Sequence, residues 1–231
     1  MIENTGFSSC TLTYDMNTCF EKLTDEELHL FEKNKLEVSY KKGETICKQG
    51  AFASHMTFIC KGLVRLYLED EVNTLTLQLV PSGGIIGLTS LTKNSNVFHY
   101  SAMAYQDTIA QHLDINMFRH LIENNAAFAT EITNVLCEST LQTYGRFFSF
   151  MHKQSFGRMA DTLLCIANRI FNSMEFDLPL NRKELADLTG LSQESVIRIL
   201  KKFKDEDLIE IEGKTYRIND DKKLNEISQH G

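Results

Sequence analysis

Hydrophobic positions alternate singly in the first half of this chain and fall into a helical rhythm in the second. Across residues 36–113 apolar and polar positions exchange in short runs broken by glycine. Val64, Leu66 and Leu68 alternate with Arg65, Tyr67 and Glu69, the period of a half-buried strand. Gly43, Gly50 and Gly62 sit where turns are needed, and Pro81 precedes three glycines in the run VPSGGIIGL. From Asp114 onward the spacing predicts helices. Asp114 caps a short one through Glu123, a second runs from about Asn125 to Phe150, and a third from about Ser155 to Asn172 carries Met159, Leu163, Ile166 and Ile170. In the second helix Leu136, Thr140, Thr143, Phe147 and Phe150 recur at spacings of four and three, a heptad-like seam. Val135, Leu141, Tyr144 and Phe148 widen its apolar surface. Two destinations fit such a helix: its own strand domain for part of its length, and a second copy of the chain.

The stretch from Leu180 to Ile218 predicts two short helices, a tight turn and a small hairpin. Asn181 caps the first helix, with Glu184 as the reciprocal half of a capping box. Leu185, Ala186 and Leu188 form its inward side. Gly190 supplies the left-handed backbone of a sharp turn, and Ser192 caps the second helix. Val196, Ile199, Leu200 and Phe203 form a buried stripe, leaving Gln193, Glu194, Arg198, Lys201 and Lys202 outside it. Those outward groups match base edges: Arg donates twice to guanine, Glu accepts from cytosine, Gln pairs with adenine. Leu208–Ile211 and Lys214–Ile218 read as strands around Glu212-Gly213. The competing reading is a plain helical hairpin with a solvated charged face. Caps, glycine turn, polar face and hairpin occurring together favour a DNA-reading unit.

Composition changes this picture little. At 231 residues, with 42% hydrophobic and 24% charged, the chain is ordinary for one or two globular domains. Net charge is -7, against the usual basic bias of DNA binders. Local placement outweighs the total, because residues 198–204 hold Arg198, Lys201, Lys202 and Lys204 without an acid. The first ten residues show no leader pattern and no run approaches a membrane span, so the expected location is the cytoplasm. Six cysteines are then expected to be reduced rather than bridged.

The 180–218 stretch resembles the C-terminal winged helix of Crp/Fnr transcription regulators. The resemblance rests on Leu180, Arg182, Glu184, Leu185, Ala186, Gly190, Ser192, Glu194, Ser195, Val196, Arg198, Leu200 and Phe203. The glycine and apolar pattern over 36–113 is similar to the jelly-roll sensor shared by cyclic-nucleotide-binding proteins and this family. The expected fold is α+β: an N-terminal double-stranded β-helix (residues 1–124), a long dimerisation helix (125–152) and a winged helix-turn-helix (153–231). The resemblance implies base reading by Glu194 and Arg198, to which the chemistry of the outward face adds Gln193. It implies backbone contacts from Asn181, Arg182, Lys183, Ser192, Ser195, Lys201, Lys202 and Lys214. It also implies a homodimer paired along Leu136, Thr140, Thr143, Phe147 and Phe150, a palindromic operator in double-stranded DNA, and RNA polymerase as a partner. Two departures matter. Gln193 stands where cyclic-AMP receptors often carry Arg, and Asn181 replaces a more usual Ser or Thr.

The sensor departs further. Cyclic-nucleotide receptors follow a Gly-Glu pair with Arg-Ser or Arg-Thr about ten residues on, the Glu for the ribose and the Arg for the phosphate. Here Leu88 follows Gly87, and Phe98-His99 stand in place of Arg-Ser. A buried phosphate without a cation is costly. The expected effector is therefore an unidentified small molecule other than cyclic AMP, in a candidate pocket of Gly87, Leu88, Thr89, Phe98, His99 and Tyr100. No cofactor is expected. Cys10 and Cys19 lack CxxC neighbours, so an iron–sulfur cluster is not supported, and no spacing among the histidines selects a haem or metal ligand. No Ser/His/Asp set or phosphate loop points to an enzyme. The alternatives to this reading are a small-molecule-binding module without DNA binding, and a haem- or redox-responsive member of the same family.

Overall fold

The computed structural model describes residues 16–92 and 95–231. The N-terminal decamer, with Cys10, lies outside those residues, as do Lys93 and Asn94 of the candidate pocket segment. The elements in chain order are α1 (Asn17–Phe20), α2 (Asp25–Asn34), β1 (Lys35–Tyr40), β2 (Thr45–Cys47), β3 (His55–Lys61), β4 (Leu63–Glu69), β5 (Thr74–Pro81) and β6 (Ile85–Ile86). A short 3-10 turn (Leu88–Leu91) leads to β7 (Ser101–Ala104), β8 (Thr108–Asp114), α3 (Ile115–Asn124) and α4 (Ala126–His152). Then come α5 (Ser155–Cys165), a π-helical turn (Ile166–Phe171), β9 (Glu175–Asp177), α6 (Arg182–Thr189), α7 (Gln193–Asp205), β10 (Ile209–Glu212), β11 (Thr215–Ile218) and α8 (Asp221–His230).

Alternation in the first half produces two four-stranded sheets, ordered β1-β8-β3-β6 and β2-β7-β4-β5, the jelly roll expected of an α+β chain. β3 shows how the pattern works. Met56 and Phe58 face one way, and Phe58 joins Phe20, Phe31 and Phe118 in an aromatic cluster under α1, α2 and α3. His55, Thr57 and Ile59 face the other way. α2, which the sequence reading did not pick out, begins with a capping box: Thr24 Oγ1 accepts from Glu27 N at 3.2 Å, and Glu27 Oε2 accepts from Thr24 N at 2.9 Å. Asp114 caps α3 as expected, accepting from the main-chain N–H of Asn116 and Met117.

The chain separates into two compact units. One comprises the described residues through 74 together with 79–140. The other comprises 141–231 with the short stretch 75–78 of β5. The dividing point falls inside α4 rather than at either of its ends.

In the C-terminal unit the expected hairpin gains a third strand, giving the order β10-β11-β9. Phe171, Phe176 and Tyr216 stack through this sheet. The third predicted helix is interrupted: α5 stops at Cys165 and the π-helical turn carries the chain to Asn172, which is left-handed at φ 48°. The C-terminal helix α8 was not anticipated. It packs on α5, with Lys153 Nζ held by Asp161 Oδ1 at 2.9 Å and donating to Ser228 Oγ at 2.8 Å. Cys19, Cys47, Cys60 and Cys137 are free thiols. Cys165 is disulfide-bonded, so the expectation of six reduced cysteines fails at that position.

Candidate nucleic-acid interface and sensor interior

α6 begins as the sequence predicts. Asn181 Oδ1 accepts from Glu184 N at 2.9 Å while Glu184 Oε2 accepts from Asn181 N at 2.6 Å. Two of the orphan amides of a helix start are satisfied in this way. Gly190 ends the helix with φ 63°. A Cβ there would lie 2.6 Å from Phe150 Cε1, so glycine is required by backbone conformation and by space together. Ser192 Oγ accepts from Ser195 N at 3.1 Å and starts α7. Leu185, Leu188, Val196, Ile199, Leu200 and Phe203 are buried between and beneath the two helices.

The opposite side of α7 is open. Gln193, Glu194, Arg198 and Lys201 are exposed, and among the described residues none has a side-chain partner. Other proposed contacts are already engaged. Lys202 pairs with Glu206 at 2.8 Å. Arg182 donates to the Tyr216 hydroxyl and lies over its ring, 5.6 Å from the centroid. Asn181, Lys183, Ser192 and Lys214 are exposed and Ser195 is half-buried. Lys214 sits at the hairpin tip beside Gly213, whose φ is 60°.

The seam on α4 divides. Leu136, Thr140, Thr143 and Phe147 are exposed, Phe147 to 67%, and Leu141, Tyr144, Phe148 and Met151 extend the uncovered surface. Phe150 does not share that face. It packs on Gly190, and the Arg146 guanidinium lies 4.6 Å from its ring centroid. Heptad spacing placed Phe150 with Phe147; the turn at Gly190 takes it instead.

In the candidate pocket Gly87, Leu88, Phe98 and Tyr100 are buried, while Thr89 and His99 are exposed. Gly87, at φ 109°, donates its N–H to the Tyr100 hydroxyl at 2.8 Å. A pocket residue therefore fills the amide that begins the 3-10 turn. Phe98 meets the His55 ring at 5.9 Å, and His55 meets His112 at 4.0 Å. His112 is held on both nitrogens, by Tyr40 Oη at 2.7 Å and Thr57 Oγ1 at 2.9 Å. Burial, with the neighbouring His55, pushes the His112 pKa down to about 4, and burial also lowers that of His55. Both imidazoles are therefore neutral at pH 7. Arg119 of α3 reaches the same segment, donating to Ser90 O at 3.2 Å and Asn96 Oδ1 at 3.1 Å. Sequence reasoning missed this histidine pair and Arg119, because spacing alone does not bring 55, 112 and 40, or 119 and 90, together.

Among the described residues no group of three or more His, Cys, Asp or Glu could hold a metal ion, and no helix is long and apolar enough to cross a membrane. A jelly roll, a long helix and a winged helix with an open polar face define a class: transcription regulators that bind DNA through a helix-turn-helix. Residues 157–227 match the Crp-like helix-turn-helix domain, and residues 37–125 match the cyclic nucleotide-binding domain. The chain belongs to the Crp/Fnr family. It is 27% identical over 198 residues to the cAMP-activated global transcriptional regulator CRP of Salmonella typhimurium, covering 83% of this chain and 93% of that one. Its fold is similar to that of FixK2 from Bradyrhizobium japonicum, with a TM-score of 0.77 at 19% identity, covering 84% and 96% of the two chains. A CooA mutant from Carboxydothermus hydrogenoformans superposes with a TM-score of 0.75 at 23% identity, covering 95% and 100%. At such identities the two structural matches speak for the fold alone.

Proposed function

We propose that this chain is a homodimeric operator-binding regulator that reads bases through Gln193, Glu194 and Arg198. The observation that carries the reading is the face of α7: exposed donors and acceptors with no partner in the chain, on a helix anchored by four buried apolar residues. Arg182, Lys183, Lys201 and Lys214 supply charge for the phosphate backbone around it. The uncovered apolar surface of α4 supports pairing with a second copy. Two-fold symmetry then sets the two reading helices about 34 Å apart and requires a palindromic site. Family resemblance adds RNA polymerase as the protein partner. Selection of bound sequences from a random DNA pool tests this directly. The expected result is a two-fold palindrome with half-sites one helical turn apart; recovery of no shared sequence would overturn it.

The effector proposed here is not cyclic AMP, although relatives carry that activation in their names. Leu88 and Phe98 are buried apolar groups where the resemblance asks for a ribose-binding Glu and a phosphate-binding Arg. The Gly87 amide is occupied by Tyr100, and the nearby histidine pair carries no charge at neutral pH. An anionic phosphate placed there would lose its hydration, and the cation that reaches this segment, Arg119, is already engaged by Ser90 O and Asn96 Oδ1. Isothermal titration with cyclic AMP is expected to show no binding in the micromolar range, and tight binding would sink the idea.

A further inference from the structure

α7 carries one residue that its exposed face does not explain. Ile197 is 50% exposed, in a helix whose other apolar residues, Val196, Ile199, Leu200 and Phe203, are buried. At ~100° per residue, positions 193, 194, 197, 198 and 201 fall within one arc of about 140°. Ile197 lies inside that arc, between Gln193 and Lys201, and its neighbours on the surface are the proposed base readers. A single exposed Ile is unremarkable on a general surface. Here it interrupts a polar face, and as a β-branched residue it does nothing for the helix that a straight polar side chain would not do better.

We propose that Ile197 is a specificity-determining residue that reads thymine by apolar contact with its C5 methyl group. The inference rests on the DNA-reading role of α7. The major-groove edge offers donors, acceptors and one apolar group, the thymine methyl. A sec-butyl side chain cannot exchange hydrogen bonds with the other edges. Placed against them it would cover a donor or acceptor without replacing water, which is unfavourable. Ile197 thus selects for thymine and against cytosine at the position it covers, while Gln193, Glu194 and Arg198 read their positions by hydrogen bonds.

The test uses the full-length protein and its selected operator. Each thymine of the half-site is replaced singly by deoxyuridine, which lacks only the methyl group, and affinity is measured for the native chain, Ile197→Ala and Ile197→Val. One thymine per half-site is expected to lose about fourfold in affinity on replacement with the native chain, the loss of one buried methyl contact. Ile197→Val should keep that sensitivity and Ile197→Ala should bind both bases alike. Since Ile197 lies outside the buried stripe, both variants should keep the native circular dichroism. An equal deoxyuridine penalty in native chain and Ile197→Ala, or no penalty at any thymine, overturns the assignment while leaving DNA reading intact. Failure of the native chain to select any sequence overturns both.

Discussion

The guanidinium of Arg146 donates through Nη2 to the main-chain oxygen of Leu188 at 2.6 Å. Leu188 O is one of the last carbonyls of α6, which have no partner within the helix. A cation there satisfies the acceptor and suits the negative end of the helix dipole. One turn further along α4, Phe150 packs on Gly190. The end of the long helix thus grips both the last turn of α6 and the glycine turn that aims α7. The last turns of α4 are thereby in direct contact with the end of α6 and with the turn that precedes the reading helix.

Arg146→Ala should accordingly loosen α6. It leaves the main-chain oxygens of Leu188 and Thr76 without this donor and removes two charge-assisted hydrogen bonds, each worth roughly 1.5–3 kcal/mol. Hydrogen exchange of the α6 amides should accelerate in proportion, with β5 around Thr76, whose carbonyl accepts from Arg146 Nε at 2.9 Å, the one jelly-roll strand to follow. Arg146→Lys should recover only part of the protection, since an ammonium lacks the planar fork that also covers Phe150. Native protection of α6 in Arg146→Ala would refute this role.

The histidine pair predicts acid sensitivity of the jelly roll. His112 titrates near 6.5 in an unfolded chain and at about 4 here. Between those values the unfolded chain binds more protons, so stability is full above about pH 6.5 and falls as pH drops toward 4. His55, also lowered by burial, adds in the same direction, and the Tyr40 hydroxyl facing His112 stays neutral throughout. The loss reaches up to about 3 kcal/mol. Urea midpoints at pH 7.5 and pH 5 measure it. His112→Gln should lower stability at pH 7.5 and flatten the dependence; an unchanged slope in that variant would remove His112 as its origin.

Much of this architecture was legible because its signals are local. Asn181 with Glu184, Gly190, Ser192 and Asp114 act within a few residues of themselves, and each ends or begins an element where expected. The fold class followed from the family resemblance that these local residues, with the glycine and apolar pattern of 36–113, carry. Destinations of buried side chains were not legible. Phe150 has the spacing of a dimer seam, yet Gly190 offers it a closer surface. Arg146 and Leu188 are 42 positions apart, and no local pattern announces the hydrogen bond between them. His55 and His112 are 57 positions apart in sequence and meet only because β3 pairs with β8. β9 is three residues long, too short for alternation to announce it.

The uncovered face of α4 makes a prediction about assembly. Phe147→Glu sets a charge into the proposed two-fold contact, where its symmetry mate carries the same charge. Central aromatic residues of interfaces typically contribute about 2 kcal/mol or more. The dimer dissociation constant should therefore rise at least ~30-fold, read by sedimentation equilibrium, with circular dichroism unchanged because Phe147 is exposed. Operator binding should weaken in step. A variant that sediments as the native chain does would move the interface elsewhere.

Arg198 and Lys201 sit one turn apart on α7, both exposed and unpartnered, and they should fail differently. Arg198, placed to donate twice to guanine, carries sequence information. Arg198→Ala should cost about 1–3 kcal/mol on the selected operator and relax preference at one base pair. Lys201, further from the helix start, meets phosphate, which is the same in every sequence. Lys201→Ala should weaken operator and random DNA by the same factor and reduce the slope of log affinity against log salt by about one. Competition titrations of both variants, on operator and random duplex at several salt concentrations, separate the two outcomes. If Arg198→Ala instead lowered both affinities equally and shifted the salt slope, it would be a phosphate contact, and base discrimination would rest on Gln193, Glu194 and Ile197.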